Sequence, residues 1–382
     1  MTRSQICMYL ILLMTGCSQK HPLDAVFSHS DQFKKVSVNY ASGFTMYSDG
    51  KNTRVNITNP WQNAHEVEYS CLLSDTIAVS RIVDEHHILI KTPVRRVVCL
   101  STTHVGFISF LNETGSIVGL SGRNFVVNKE LQDRIHKDEL PDVGYDENLN
   151  YELVLKLKPD VVLAYGVSGT VTNTLRKLNE LGIPTMLIAE YLEEEPLAKM
   201  EWIKVFGSLY DREGLAILKF DSVSNIYRQL TTLTGGVRNK PSVLLGLPWR
   251  GTWYISGGKS YVARLIEDSG GEYLFRDLPF KESRPISLEK VYERALNAEF
   301  WLNSGDALAK KDLFSVDQRF SRLSPVIHDQ VYNNNNLLSG SGGNAFFESG
   351  VVEPEIILSD LIYILHPQLL PSHQLKYYRK LQ

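Results

Sequence analysis

Between residues 94 and 188 short, wholly apolar runs alternate with stretches of helical period. Arg96 to Leu100 reads as the opening strand, and Val161 to Ala164 is too short for a helix and apolar along its length, as suits a parallel strand covered on both faces. Before the second run, Asn150 is placed to cap a helix whose apolar side is Val154, Leu155 and Leu157, and Pro159 cannot continue it. A helix around Val105 to Leu111 and short segments at Ile117 to Leu120 and Pro141 to Tyr145 belong to the same lobe. A further strand follows Leu181-Gly182-Ile183-Pro184. This is a βαβ pattern, and ligands of open α/β sheets collect at the loops after the strands.

The flanking patterns differ. Residues 36–93 alternate with a period of two, and 43–47 and 53–57 flank a Gly-containing turn at 48–52; 67–73 and 88–90 continue the sheet. From 196 to 234 there are no strong breakers. Asp211 is placed to cap a helix running to about Thr234, with Leu215, Leu218, Ile226, Leu230 and Leu233 at helical spacings. Roughly 23 residues at 1.5 Å each give a rod of about 35 Å, which ends at Gly235-Gly236. The second half then repeats the first in outline: a strand at 242–247, a ring-rich loop at 248–254, a helix at 260–269, a strand and loop at 300–305, and a last helix from Pro354 through Leu365. Asn150-x-Glu152-x-Val154 is echoed by Ser287-x-Glu289-x-Val291. The fold class is therefore α/β: two Rossmann-like lobes joined by a single long helix, with an extra N-terminal β segment. The expected divisions are 1–16, 17–35, 36–93, 94–206, 207–235 and 236–382.

The first sixteen residues change the picture. A positive start at Arg3, an apolar run from Ile6 to Met14 and small residues before Cys17 describe a secretory signal, too short to span a membrane comfortably. Thr15-Gly16-Cys17 resembles a bacterial lipobox, which implies lipidation of Cys17; an ordinary signal peptide cleaved nearby is the plainer alternative. Residues 17–35 then read as the tether. Removing 1–16 deletes only Arg3 among the charges, leaving 39 basic against 43 acidic residues. That balance offers no basic field for nucleic acid. Export permits a disulfide between Cys71 and Cys99, but Cys99 lies in an apolar strand and reads as a buried free thiol. A mature chain of about 365 residues splits into lobes rather than extending one core.

No catalytic motif is present: no Gly-x-Gly-x-x-Gly after the first strand, no phosphate loop, and no Gly-x-Ser-x-Gly elbow, which Ser168 misses by one position. His86 and His87 are sequential in a strand-like region and point to opposite faces, so no metal held by the protein's own ligands is expected. Glu152 and Glu289 each fall in a first helical turn, where a carboxylate complements the helix dipole by ~0.3–1 kcal/mol. Their matching places in two repeated lobes set a second role beside that one.

The Arg95-Arg96-Val97-Val98 opening, Asn150-x-Glu152 before Leu157-Lys158-Pro159-Asp160, Leu181-Gly182-Ile183-Pro184, and Gly350-Val351-Val352-x-Pro354 with His366-Pro367 resemble substrate-binding lipoproteins of ABC importers. The class is that for iron–siderophore complexes, haem and cobalamin, and the likeness covers about residues 94 to 370. It implies that Glu152 and Glu289 dock onto a permease dimer with its ATPase, that the lipid anchor tethers the protein to a membrane, and that the ligand lies between the lobes. The expected ligand contacts are Thr103, His104, Tyr145, Tyr165, Trp249, Arg250, Trp253, Tyr254, Arg284 and Phe346. Rings suit a flat or aryl-rich chelate, and the arginines suit carboxylate or catecholate anions. Ferric iron would arrive already chelated, so no cofactor or protein metal ligand is implied. An exported enzyme and a glycan-binding surface lipoprotein are the alternatives from other classes.

Overall fold

The computed structural model describes residues 32–145, 148–167 and 169–382. Cys17, the signal segment, most of the tether and Ser168 lie outside the described residues.

The period-two pattern after residue 36 forms a six-stranded sheet: β1 (Lys34–Lys35), β2 (Phe44–Ser48), β3 (Asn52–Thr58), β4 (Glu68–Ser74), β5 (Arg81–Ile82) and β6 (His87–Lys91), in the order β1-β2-β3-β4-β6-β5. Along β3 every second side chain is buried. That face, with Phe44, Met46, Val55 and Ile57, joins Val97, Cys99, Phe107, Trp202 and Phe206 in one apolar core. The sheet and the first lobe thus share an interior.

The first lobe carries a four-stranded parallel sheet of β7 (Val97–Cys99), β8 (Ile117–Leu120), β9 (Val161–Ala164) and β10 (Thr185–Leu187), ordered β10-β9-β7-β8. Asn150 caps the Tyr151–Leu157 helix as expected, its Oδ1 accepting from Leu153 N at 3.0 Å. The second lobe holds β11 (Ser242–Leu245), β12 (Thr252–Ser256), β13 (Glu272–Tyr273), β14 (Ser283–Ser287), β15 (Phe300–Leu302), β16 (Val331–Asn333) and β17 (Arg379–Lys380). Its main sheet runs β13-β11-β15-β16-β17, parallel except for the last pair, and β12 pairs with β14 in a separate antiparallel ribbon. Both Cys71 and Cys99 are free and buried; burial pushes the Cys71 thiol up to about 12 and Cys99 higher still.

The lobes are joined by the 22-residue helix Glu213–Thr234, about 33 Å long at 1.5 Å per residue. Two expectations are corrected. Asp211 does not cap it: its φ is +54°, on the turn that closes the preceding helix, and Arg212 holds the N-cap position without a side-chain capping bond. Nor do all the expected apolar residues make its inner face: Leu230 is buried and Leu215 packs on the first core, but the other three do not. Ala216, Phe220, Val223, Tyr227, Leu230 and Thr234 are buried, whereas Leu218, Ile226 and Leu233 face solvent. Ala216, Phe220 and Val223 enter the first lobe's core, and Tyr227 and Leu230 the second's.

Residues 39–43 are fixed by two buried carboxylates. Glu201, with no solvent exposure, accepts from the amides of Asn39, Tyr40 and Ala41 at 2.7–3.0 Å and pairs with Lys204 Nζ at 2.6 Å. Lys204 in turn donates to Ser37 O at 2.9 Å. Glu193 accepts from the amides of Ser42 and Gly43 and from Trp202 Nε1 at 3.0 Å. A Cβ on Gly43 would lie 3.1 Å from both the Glu193 carboxylate and the Trp202 ring, so any side chain there would push one of them back by a few tenths of an ångström. Replacing Glu201 with Gln faces several donors with an amide and leaves Lys204 buried without a counter-charge. Glu201→Gln is therefore expected to cost about 3 kcal/mol or more in urea unfolding; a change below about 1 kcal/mol would show that the clamp contributes little.

Candidate functional site

A cavity of about 750 Å³ opens between the lobes, within the range of small-molecule sites. Three parts of the chain wall it. Thr103, Glu190 and Tyr191 come from the first lobe, at the ends of β7 and β10. Ser256, Tyr261, Lys281 and Glu282 come from the second, and Phe346, Phe347 and Val351 from its C-terminal segment. The end of β3 and the loop after it supply Thr58, Asn59, Trp61, Gln62 and Asn63.

The first-lobe side is polar. Glu190 is only 2% exposed, and its Oε2 has no hydrogen-bond partner. Burial raises its carboxyl above the usual range, while the Thr103 hydroxyl and the Lys199 charge pull it back. Lys199 sets its ammonium 4.1 Å from the Tyr261 ring centre; burial lowers it, and Glu190 and Glu193 oppose that shift. The Tyr191 hydroxyl donates to Gly166 O at 2.5 Å and accepts from the main chain of Gln62; burial pushes it up to about 12. Lys281 and Glu194 pair at 3.3 Å across the two lobes, both about half exposed.

A second contact fixes the lobes below the cavity. Glu348, next to Phe346 and Phe347, accepts from the amides of Val127 and Asn128 in the first lobe, both at 2.7 Å. A Cβ on Gly106 would fall 2.0 Å from Glu348 O, so the Thr102–Phe110 helix packs on this segment at glycine distance.

Of the ten expected ligand contacts, Thr103 and Phe346 line the cavity. His104 is corrected: it has no exposure, burial pushes it down to about 3, and it packs edge-on against Tyr165 behind the wall. Trp253 is also corrected. The segment expected as loop is partly β12, whose alternation sends Trp253 and Ile255 inward and Tyr254 outward, and Trp253 Nε1 donates to Leu245 O. Trp249, Arg250, Tyr254 and Arg284 lie outside the cavity walls, with Arg250 over the Trp249 ring and Arg284 over Phe280. Tyr145 is exposed away from the walls, and Tyr165 contacts Tyr191 one layer behind them. Missed were Trp61, Gln62, Asn63, Glu190, Tyr191, Lys199, Tyr261, Lys281 and Phe347. The rule that ligands collect after strand ends points to Glu190 and Tyr191, which follow β10; Phe347 adjoins Phe346.

Glu152 and Glu289 sit exposed in the first turns of the Tyr151–Leu157 and Leu288–Ala295 helices, one on each lobe, with Glu289 at 3.9 Å from Arg319. Among the described residues, no three His, Cys, Asp or Glu side chains are grouped to hold a metal ion.

Two lobes around a cavity, joined by one stiff helix, give the architecture of a solute-binding protein. The chain belongs to the periplasmic binding protein family, whose model matches residues 97–336. An uncharacterized lipoprotein of Methanocaldococcus jannaschii is 25% identical over 302 residues, 76% of this chain and 70% of that one. A possible iron-binding solute-binding protein of Staphylococcus epidermidis shares the fold with a TM-score of 0.56 at 17% identity, over 72% of this chain and 100% of that one. A periplasmic heme binding protein of Pseudomonas aeruginosa does so with a TM-score of 0.54 at 16% identity, over 72% of this chain and 93% of that one.

Glu348 gives a pH test. Burial raises its carboxyl from an ordinary 4.5 to about 7. A carboxyl raised on folding stabilises fully below 4.5, and that contribution is lost as pH rises through 7. Wild type should therefore lose on the order of 3 kcal/mol between these limits that Glu348→Gln does not lose. Parallel stability curves for the two proteins, measured by urea unfolding at each pH, would contradict the shift.

Proposed function

We propose that the protein captures a ferric-siderophore-type chelate, or a haem or cobalamin of similar size, and delivers it to an ABC importer. The observation that carries this reading is the cavity between the lobes, large enough to enclose much of such a ligand and walled by Trp61, Tyr191, Tyr261, Phe346 and Phe347. The names of the Staphylococcus and Pseudomonas proteins support it by fold alone. The iron would arrive inside its chelator, as cargo.

Charge narrows the ligand. The cavity wall carries four carboxylates, Glu190, Glu193, Glu194 and Glu282, against two ammonium groups, Lys199 and Lys281. Such a wall disfavours a polyanionic tris-catecholate and favours an uncharged trihydroxamate or a corrinoid with amide donors. Arg250 and Arg284, expected to take catecholate, stand outside the walls. Docking would then use Glu152 and Glu289, and Cys17 would hold the mature protein to the membrane by acyl chains. The lipoprotein relative supports that anchoring. Lobe movement would be limited, because both ends of the connecting helix are core elements.

Titrating the protein with ferrichrome, ferric enterobactin, haemin and cyanocobalamin should give micromolar or tighter binding to an uncharged chelate or tetrapyrrole, and the weakest to the tris-catecholate. Binding of none would overturn the reading. For docking, Glu152→Ala with Glu289→Ala should abolish uptake of the bound ligand by whole cells while its affinity stays within about twofold; equal loss of affinity would make the two carboxylates structural.

A further inference from the structure

The family match begins at residue 97, yet one wall of the cavity comes from residues 58–65, in the sheet that precedes it. We infer that this loop is a third, ligand-selecting wall of the site, with Trp61 as a fixed stacking platform and the side-chain amides of Gln62 and Asn63 as its polar rim. The inference rests on the proposed function and adds the part of the chain that selects among ligands.

The loop is seated before any ligand arrives. Asn59, Asn63 and Glu66 take left-handed backbone conformations at φ of 48°, 62° and 57°. Asparagine tolerates that region better than most residues. Asn59 Oδ1 accepts from Val67 N, and Ala64 N donates to Trp61 O, closing the loop on itself. Trp61 meets the Tyr69 ring edge-on at 6.3 Å between centres and packs on Ala164, Val171, Leu175 and Leu187. The Gln62 main chain reaches the Tyr191 hydroxyl, linking the loop to the first-lobe wall. Gln62 and Asn63 themselves are exposed.

Placement of the tryptophans makes the idea measurable. Of the five in the chain, Trp61 is the one that lines the cavity. Trp202, Trp253 and Trp301 are fully buried, and Trp249 is exposed outside the walls. A ring held rigidly against a conjugated ligand loses little freedom on binding, so its removal should be felt directly in affinity.

The test uses the soluble full-length mature protein with ferrichrome, haemin and cyanocobalamin as probes, binding being measured by calorimetry. Trp61→Ala should weaken the tightest of the three by about tenfold or more, while Trp61→Phe stays within about threefold. Trp61→Phe should also remove the largest share of the fluorescence quenching caused by that probe. Gln62→Ala with Asn63→Ala should alter the rank order of the three probes; these exposed positions carry the test if Trp61→Ala fails to fold, which thermal unfolding will show. If wild type binds a probe and both variants match it in affinity, rank order and quenching, the loop is only scaffold and this inference falls alone. If wild type binds none of the three probes, the inference falls together with the proposed function.

Discussion

The clamp that Glu193 and Glu201 place on residues 39–43 is the constraint on which the cavity's shape depends. A buried carboxylate is costly unless its lone pairs are filled. Here the filling comes from consecutive main-chain amides, with Lys204 and the Trp202 indole completing the sets. Because those amides belong to the strand-leading segment before β2, the N-terminal sheet cannot leave without exposing two buried charges. The same stretch that supplies the clamp also supplies Glu190, Tyr191 and Lys199 to the wall and Glu194 to the interlobe ion pair. Fold integrity and site geometry are therefore controlled by one short piece of chain.

The connecting helix sets the second limit. A rod lying free between lobes would bend at its ends, but this one contributes Ala216, Phe220 and Val223 to one core and Tyr227 and Leu230 to the other. Hinge motion must then strain packed side chains, and close-packed cores resist continuous deformation. Glu348 adds a second attachment on the far side, joining the C-terminal segment to the amides of Val127 and Asn128. Two attachments, one helical and one through hydrogen bonds, oppose separation of the lobes, and the Lys281–Glu194 pair adds a third, half-exposed link.

Local chemistry made much of the fold legible. The Asn150 cap and the short apolar strands at 97–99, 161–164 and 185–187 follow from rules that act over a few residues. The long helix was legible in extent but not in orientation. Leucine and isoleucine outweigh alanine, threonine and serine on any hydrophobicity scale, so Leu218 and Ile226 read as core although Ala216 and Thr234 fill it. The site was mostly hidden because its walls meet only in the tertiary structure. Nothing local brings Trp61 to Tyr191, 130 positions along the chain. Rings in a Pro- and Gly-containing loop were a misleading cue, since β12 turns Trp253 inward to satisfy the Leu245 carbonyl.

What selects a ligand in such a cavity follows from the groups left incomplete. Burial works against the charges of Glu190 and Lys199, and each carries part of the other's compensation. The Oε2 of Glu190 has no donor. A ligand that brings an N–H or O–H to that oxygen completes a bond whose absence costs roughly 1–3 kcal/mol, whereas one that brings an acceptor leaves it unmade. The rings supply affinity to any flat ligand of the right size, but they discriminate weakly. On the proposed function an anionic chelate is disfavoured at the carboxylate side, where it meets four acidic groups and a donor finds a waiting acceptor, while the 58–65 loop would sort the ligands that remain.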